Sequence, residues 1–437
     1  MDSVQLPVQV IDYVVIVGYF AGILLFGSYF GRYAKTTSDF FFGGRRFSWW
    51  LICVSIVATG VGSHSFIKYS AKGFQHGFSS TMTYMNDWFF MAFFMFGWLS
   101  IIYYTRVQSI PEYFENRFNR TARTLATIMM LLYMVGYVAI GFLTLGTALY
   151  KILGWPLYPT IGVIALVSAI YMTYGGQTSV IFTDLIQGLI LLFAGILLLF
   201  LGVSFIGGWD VFWNVLPDAA KLPLADFNKP SDFNFVGIFW QDGIAGSVGF
   251  LFLSQGLIMR FLACRSVNEG RKAAAFNVLV FLPISAIAVS NAGWIGQVIS
   301  KTKPALISPG FNPDDIFTKV TFLVAQPGVA GFIIAALSAA LMSTIDTHIN
   351  AAAAVFINDI YRPLKLKRKK KLDDKYYLKW ARIVSLGATA FALMLVPIFA
   401  SFRTIYEAHG WFHSTLMPPL VVAVFFGIFW KRFTPAA

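Results

Sequence analysis

The stretch Leu51 to Phe74, "LICVSIVATGVGSHSFIKYSAKGF", is apolar where it starts and small and polar at its centre, Ala58 to Ser65, which holds Gly60 and Gly62. A glycine in a helix interior costs roughly 1 kcal/mol relative to alanine, so this centre predicts a helix that breaks midway. A related centre, "QDGIAGSVGFLFLSQG" at 241–256, holds Gly243, Gly246, Gly249 and Gly256. The alternative for both is a continuous helix whose glycines allow a neighbouring helix to come close.

The rest of the chain places both stretches in a membrane. Of its 437 residues 57% are hydrophobic and only 12% charged, and mean hydropathy is +0.69. That is more apolar than a soluble domain with a mixed polar surface. A spanning helix needs roughly 20 apolar residues, and about eleven candidates follow on that scale, near 8–31, 48–73, 81–105, 122–152, 157–174, 177–206, 235–262, 272–300, 328–359, 376–400 and 406–431. The first has no basic segment ahead of it and is too long for a cleaved signal, so it reads as a retained span. Cys53 and Cys264 are too few for a disulfide framework and read as small hydrophobes.

The net charge of +13 would suggest nucleic acid in a soluble protein, but its placement follows the membrane. Arg32, Lys35, Arg45, Arg46, Arg106, Arg117, Arg120, Arg123, Arg265, Arg271, Lys272, the run "KLKRKKK" at 365–371, Lys431 and Arg432 all fall on one side of the expected spans. The positive-inside rule makes that side cytoplasmic. The aspartate-bearing loops at 207–234 and 301–327, and the N-terminus, are then outside, and the C-terminus is inside. The basic run reads as a topogenic, lipid-facing loop.

Five expected spans separate the starts of the two glycine-rich ones, and an odd number of crossings inverts the second unit relative to the first. This is the pattern of a five-plus-five inverted repeat, with units at 48–206 and 235–437, an extra helix and loop at 1–47 and an external loop at 207–234. In such carriers the leading helices unwind near the midplane, and their carbonyls and half-helix ends bind substrate and ions.

The segment "ALMSTIDTHINAA", 340–352, supplies a polar face for such a break. At about 100° per residue, Ala336, Ala339, Ala340, Ser343, Asp346, Thr347 and Asn350 share one side, with Thr344 at its edge and bulky side chains opposite. Neutral and anionic oxygens in this pattern suit hard cations. Hydroxyls alone also serve as interhelical hydrogen bonds. Asp346 tips the reading towards function, because a carboxylate at membrane depth costs at least roughly 2.5 kcal/mol. Asp184, in "IFTDLIQ", is a second such carboxylate, or else a helix-start charge favoured by the dipole. His348 lies off the polar face and reads as a hydrogen-bonded packing residue. No spacing of histidine and cysteine suggests a transition metal, and no nucleophile elbow or phosphate loop suggests an enzyme.

The stretches "DFFFGGRRFSWW", "SIPEYFENRFN", "YGGQTSVIFTDLIQ", "FVGIFWQ", "MSTIDTHIN" with "NDIY", and "GIFWKRFTP" resemble the sodium/solute symporter family, all-helical carriers of the LeuT-type fold whose members take sugars, proline or sialic acid. The resemblance implies a multi-pass protein of the cell (inner) membrane that couples a small polar organic solute to sodium. It implies a shared sodium site at the carbonyls of Ala58, Val61 and Ala340 and the hydroxyls of Ser343 and Thr344. A second site of some relatives matches Asp184, Asp346 and Thr347, with Ser343 shared. Asp346 stands where relatives often have serine, so a second sodium or a proton is expected there. The solute positions match Ser63, His64, Ser65, Lys68, Asp87, Ser254, Gln255 and Gly256, with Phe281 where sugar carriers have lysine. Lys68 is expected to pair with Asp87, receive a substrate carboxylate or snorkel to the interface. Relatives continue with further spans after "FWKRFTP", so a complete ten-helix core is expected to end the chain here. Rival expectations are a proton-coupled carrier using Asp346 or Asp184, and a transporter-like sensor.

Overall fold

The computed structural model describes residues 8–85, 87–230, 233–308, 310–367, 373–402 and 405–435. The described residues are almost wholly helical, and among them the only β pairing is an isolated bridge between Phe47 and Cys264. Among the described residues eight helices are long and apolar enough to cross a membrane, and Trp49–Gly60 and Thr415–Phe429 are shorter apolar helices. The first helix, α1, is Val10–Phe30.

The glycine-rich spans are both broken. Helix α2, Trp49–Gly60, ends where Val61 (φ −99°, ψ 87°) and Gly62 (φ −79°, ψ 168°) leave helical geometry, and α3 restarts at Ser63–His76. The last carbonyls of α2 therefore lose the N–H partners that a continuing helix would offer. The later span is wound as a π-helix from Phe239 to Ser247 and from Gly249 to Leu253, and breaks at Ser254 (φ −73°, ψ 98°). Its hydroxyl accepts from the Leu257 amide at 3.3 Å, capping the helix that follows. The break thus falls on a capping serine rather than on the glycines, which lie in or beside the loosely wound part.

Between these spans, 87–105 forms α4, Ile110–Arg117 α5, Arg120–Leu153 α6 and Leu157–Ile206 α7. At about 1.5 Å per residue, a straight α7 would exceed twice the hydrocarbon thickness. It is divided at Gly176, whose φ of 52° and ψ of −145° break the helix and whose hydrogen faces the Phe40 carbonyl and ring. The expected spans at 157–174 and 177–206 are its two halves. The broken span is α8, 235–253, and α9, Gln255–Leu262, followed by α10, Val267–Thr302, α11, Val329–Val355, α12, Asp374–Ala400, and α13, Ile405–Phe429.

Helix α11 is the axle of the bundle. Its span is 89% buried, against 22% for α1 and 28% for α12, and it packs on α1, α2, α6, α7, α9 and α12. Both its bulky and its small faces are therefore core, as for a helix enclosed on all sides. Cys53 and Cys264 are buried free thiols.

The start of α11 is fixed by a residue of α1. The buried Asp12 carboxylate accepts from the Gly328 amide at 2.8 Å and the Gly331 amide at 2.7 Å through Oδ1, and from Gln9 through Oδ2. It caps the orphan N–H groups of another helix and places a negative charge at that helix's positive end. Asp12→Ala is expected to destabilise the protein by about 1–2 kcal/mol, with Asp12→Asn retaining part of that; equal thermal unfolding of Asp12→Ala and wild type would show that the cap does not hold α11.

Candidate functional site

The polar stripe of α11 lies directly against the break in α2. The Thr344 hydroxyl is 3.1 Å from the Thr59 carbonyl, 285 residues away in sequence, and 3.1 Å from the Ala340 carbonyl. Thr59 Oγ1 lies 3.5 Å from Ser343 Oγ and 3.3 Å from Thr347 Oγ1. Ala58 and Val61 flank Thr59 at the break, and Ala58, Val61, Ala340, Ser343, Thr344 and Thr347 are all buried. The structure thus gathers neutral oxygens from two helices, a donor set suited to a hard monovalent cation.

Behind these oxygens is an ion pair that sequence reasoning missed. Arg260, on α9, places Nη2 2.7 Å from Asp184 Oδ2, and both side chains are fully buried. Its remaining N–H groups reach Ser55 Oγ at 2.7 Å, the Gly256 carbonyl at 3.0 Å and Thr347 Oγ1 at 2.6 Å. Asp184 Oδ1 accepts from Ser343 Oγ at 2.5 Å, and Oδ2 also accepts from Ser55 Oγ. One buried unit therefore joins α2, α7, α9 and α11. Arg260 sits in "SQGLIMRFLACR", five residues before Arg265, where it reads as another positive-inside charge; the usable signal was an arginine within an apolar run, which needs an acidic partner at depth.

The second group of expected ligands divides. Asp184 and Thr347 meet around Arg260, whereas Asp346 turns to the first half of α7, where Tyr171 donates to its Oδ2. Among the described residues Asp346 Oδ1 is buried without a hydrogen bond of normal geometry, with the Ser168 hydroxyl its neighbour. Nearby on the same side of α11, Gln187 Nε2 donates to Tyr19 Oη at 3.1 Å, and Tyr19 donates to Met342 Sδ at 3.9 Å. Asn350, lower on the stripe, donates to Gln177 Oε1 at 2.6 Å, just past the bend in α7. His348 packs as expected, with Nδ1 2.8 Å from the Thr344 carbonyl and its ring stacked 4.4 Å from Tyr137.

The solute positions are only partly gathered. The side chains of Ser63 and His64 lie outside the described residues. Ser65 is buried beyond the break, and Tyr84 Oη lies 3.5 Å from the Gly60 carbonyl, with Tyr69 edge-on to Tyr84 at 4.8 Å. The expected pairing of Lys68 with Asp87 is corrected: Lys68 Nζ is 3.6 Å from Asp242 Oδ1. Asp87 instead accepts from Ser247, whose hydroxyl also lies 3.1 Å from the Asp242 carbonyl. The loosely wound α8 brings Asp242 and Ser247 to these positions. Ser254 caps α9 and keeps its hydroxyl hydrogen. Gln255 is held beside α5: its Oε1 accepts from the Ile110 amide at 2.9 Å and its Nε2 donates to the Gln108 carbonyl at 3.1 Å, so it pins the entry to α5. Gly256 lies against the Thr347 methyl, an approach a side chain would block. Phe281 packs edge-on to Phe276 at 5.6 Å.

Two broken helices against a buried, oxygen-bearing stripe define a membrane carrier of the LeuT type. The family model for the sodium:solute symporter family matches residues 40–436, and the chain belongs to that family. It is 28% identical to a sodium/glucose cotransporter of Vibrio parahaemolyticus over 99% of this chain and 83% of that protein. It is 29% identical to the sodium/sialic acid symporter SiaT of Proteus mirabilis over 97% and 85%. A solved Na+-coupled sialic acid symporter, in a substrate-bound outward-open state that reveals a novel Na+ site, superposes with a TM-score of 0.85 at 27% identity, covering 98% of this chain and 89% of that one. The protein is a sodium-coupled symporter, and sodium and a small solute are what it handles.

The ion pair yields a stability prediction. Removing one partner of a buried pair strands the other and costs about 3–5 kcal/mol, so Arg260→Met and Asp184→Leu should each unfold at markedly lower temperature. The double variant, which leaves no stranded charge, should recover a large part of the loss. Strictly additive losses in thermal unfolding would count against coupling between the two side chains.

Proposed function

We propose that this symporter imports a small polar organic solute, a sugar, amino acid or organic anion, by alternating access, with sodium held by the carbonyls of Ala58, Val61 and Ala340 and the hydroxyls of Ser343 and Thr344. The observation that carries this reading is the Thr344 hydroxyl lying 3.1 Å from carbonyls of both the α2 break and α11. A cation among these oxygens adds a tie between the two helices to their packing and to the Arg260–Asp184 unit. Sodium therefore favours the conformation in which the site is assembled, and solute and sodium raise each other's affinity by the same factor. The inward driving force adds about 2.3 kcal/mol per charge per 100 mV of potential to the concentration gradient.

Beyond the break, Asp87 and Asp242 stand near the ammoniums of Lys68 and Lys72, a mixed-charge setting that suits polar or zwitterionic solutes better than multiply charged anions. In this reading the units 48–206 and 235–437 are inverted repeats that rock against each other, the protein lies in the cell (inner) membrane, the arginine-rich ends of the helices face the cytoplasm and the N-terminus faces outside.

A second role is proposed for Asp346, whose buried Oδ1, without a hydrogen bond of normal geometry among the described residues, calls for a proton or a cation. Asp184, already paired with Arg260, is the weaker candidate for a titrating group.

Thr344→Ala is expected to raise the sodium concentration for half-maximal uptake in proteoliposomes by roughly tenfold or more, the cost of one ligand to a charge, with little change in thermal stability. Ser343→Ala should do the same and also loosen Asp184. Unchanged sodium activation in both variants would remove the site assignment. For Asp346→Asn, a flattened pH dependence of uptake or a smaller charge-to-solute ratio is expected; a pH profile and charge ratio identical to wild type would end its coupling role.

A further inference from the structure

The segment that follows α1, at Ala34 and Lys35, and the first turns of α12 border a groove of about 540 Å³ at the arginine-rich end of the bundle. Four cations line it, Lys35, Lys375, Lys379 and Arg382, with Leu378, Ile383 and Leu386 as its apolar wall. Lys375, Lys379, Arg382 and Leu386 follow at intervals of four, three and four residues, so they form a single stripe on α12. Among the described residues none of the four cations makes an ion pair. Asp374, beside them in sequence, is engaged by the Thr37 amide and hydroxyl and by Arg362.

Arg382 forms the floor. Its Nη2 lies 3.4 Å from the Ala34 carbonyl and 3.3 Å from the Tyr174 carbonyl, and its Nε is buried without a partner. A buried guanidinium N–H without an acceptor is costly, and phosphate oxygens are the acceptors that the planar fork matches best. The apolar wall identifies the carrier of that phosphate. Ile383 and Leu386 are 43% and 47% exposed on a helix that is mostly uncovered. Lys375 to Leu386 spans roughly 16 Å of helix at 1.5 Å per residue, which passes from the headgroup level into the hydrocarbon. A free phosphate would use the cations and leave this wall bare.

We propose that this groove binds an anionic phospholipid, its phosphate held by Lys375, Lys379 and Arg382 and its acyl chain laid along Leu378, Ile383 and Leu386. Basic pockets between helices at the membrane surface recognise such headgroups. The bound headgroup would complete Arg382, which clamps the segment that follows α1 to the residue next to the bend in α7.

The test uses the purified full chain, titrated with phosphatidylglycerol and with phosphatidylcholine of the same acyl chains and read by native mass spectrometry. Lys375→Gln/Lys379→Gln, on exposed positions, is expected to weaken phosphatidylglycerol binding by roughly twenty-fivefold, at about a factor of five per basic residue, and to leave phosphatidylcholine unchanged. Lys431→Gln/Arg432→Gln, the same charge change on the exposed end of the chain, should leave phosphatidylglycerol binding as it was. Equal phosphatidylglycerol binding in the Lys375/Lys379 variant and wild type would overturn the proposal. So would an equal loss in the Lys431/Arg432 variant, which indicates diffuse charge attraction. Displacement of phosphatidylglycerol by millimolar inorganic phosphate would overturn the lipid assignment in favour of a free-anion site.

Discussion

The contact on which the bundle core depends is the ion pair between Arg260 and Asp184. Bringing both charges out of water costs several kcal/mol per ion, and Coulomb attraction repays this only when every remaining donor and lone pair is satisfied. Here Ser55, Ser343, Thr347 and the Gly256 carbonyl supply partners that, with Asp184, take four of the five guanidinium N–H groups. These groups come from α2, α7, α9 and α11, so the pair keeps its partners only when these helices stand in one arrangement. Of the hydroxyls that partner the pair, Ser343 is itself a proposed sodium ligand and Thr347 lies one turn along the same stripe. The pair therefore ties the geometry of the ion site to the positions of both broken spans.

The two sides of α11 do different work. Towards α2 the oxygens are neutral, and a cation bound there is held by dipoles rather than by full charges. Such binding is selective for small hard ions yet weak enough to be released each cycle, whereas direct carboxylate ligation would hold the ion more tightly. The carboxylate of Asp184 stays one shell back, already compensated by Arg260, where it polarises Ser343 without trapping the ion. Towards α7 the arrangement is the opposite: a full carboxylate, Asp346, faces the Tyr171 hydroxyl.

Much of this was legible in the sequence because it rests on local signals. The glycines and small polar residues of 58–65 marked a break that the backbone at Val61 and Gly62 realises. The 3.6-residue period of 336–350 placed Ser343, Thr344 and Thr347 together. What was not legible depended on which helices meet. Arg260 resembles a flanking positive charge until α9 is seen beside α7, and Lys68 pairs with Asp242 rather than Asp87 because loose π-winding carries Asp242 inward. Gln255 belongs to a polar break, yet α5 takes both ends of its amide. Asp12 gave no signal at all, since a cap usually precedes its own helix and this one serves a helix more than 300 residues away, as its 316-residue separation from Gly328 shows.

The charge inventory at the centre of the membrane decides which half of the transport cycle feels the membrane potential. Asp184 and Arg260 cancel, so the charge that the α11 stripe contributes is set by Asp346. If Asp346 holds a proton throughout, the empty stripe is neutral and the sodium-loaded one adds a unit positive charge, which shifts the voltage dependence towards the loaded, inward step. If Asp346 is ionised, binding one sodium neutralises the stripe, which shifts the voltage dependence towards the return of the empty carrier. Both cycles move one charge per sodium and obey the same energetics, about 2.3 kcal/mol per 100 mV, yet they place the voltage-dependent step on opposite sides of solute release. A serine at position 346 would leave only the first cycle open. The carboxylate gives this chain a choice of step that its neutral stripe of hydroxyls could not, and Tyr171, the donor that meets it, is placed to set which form it takes.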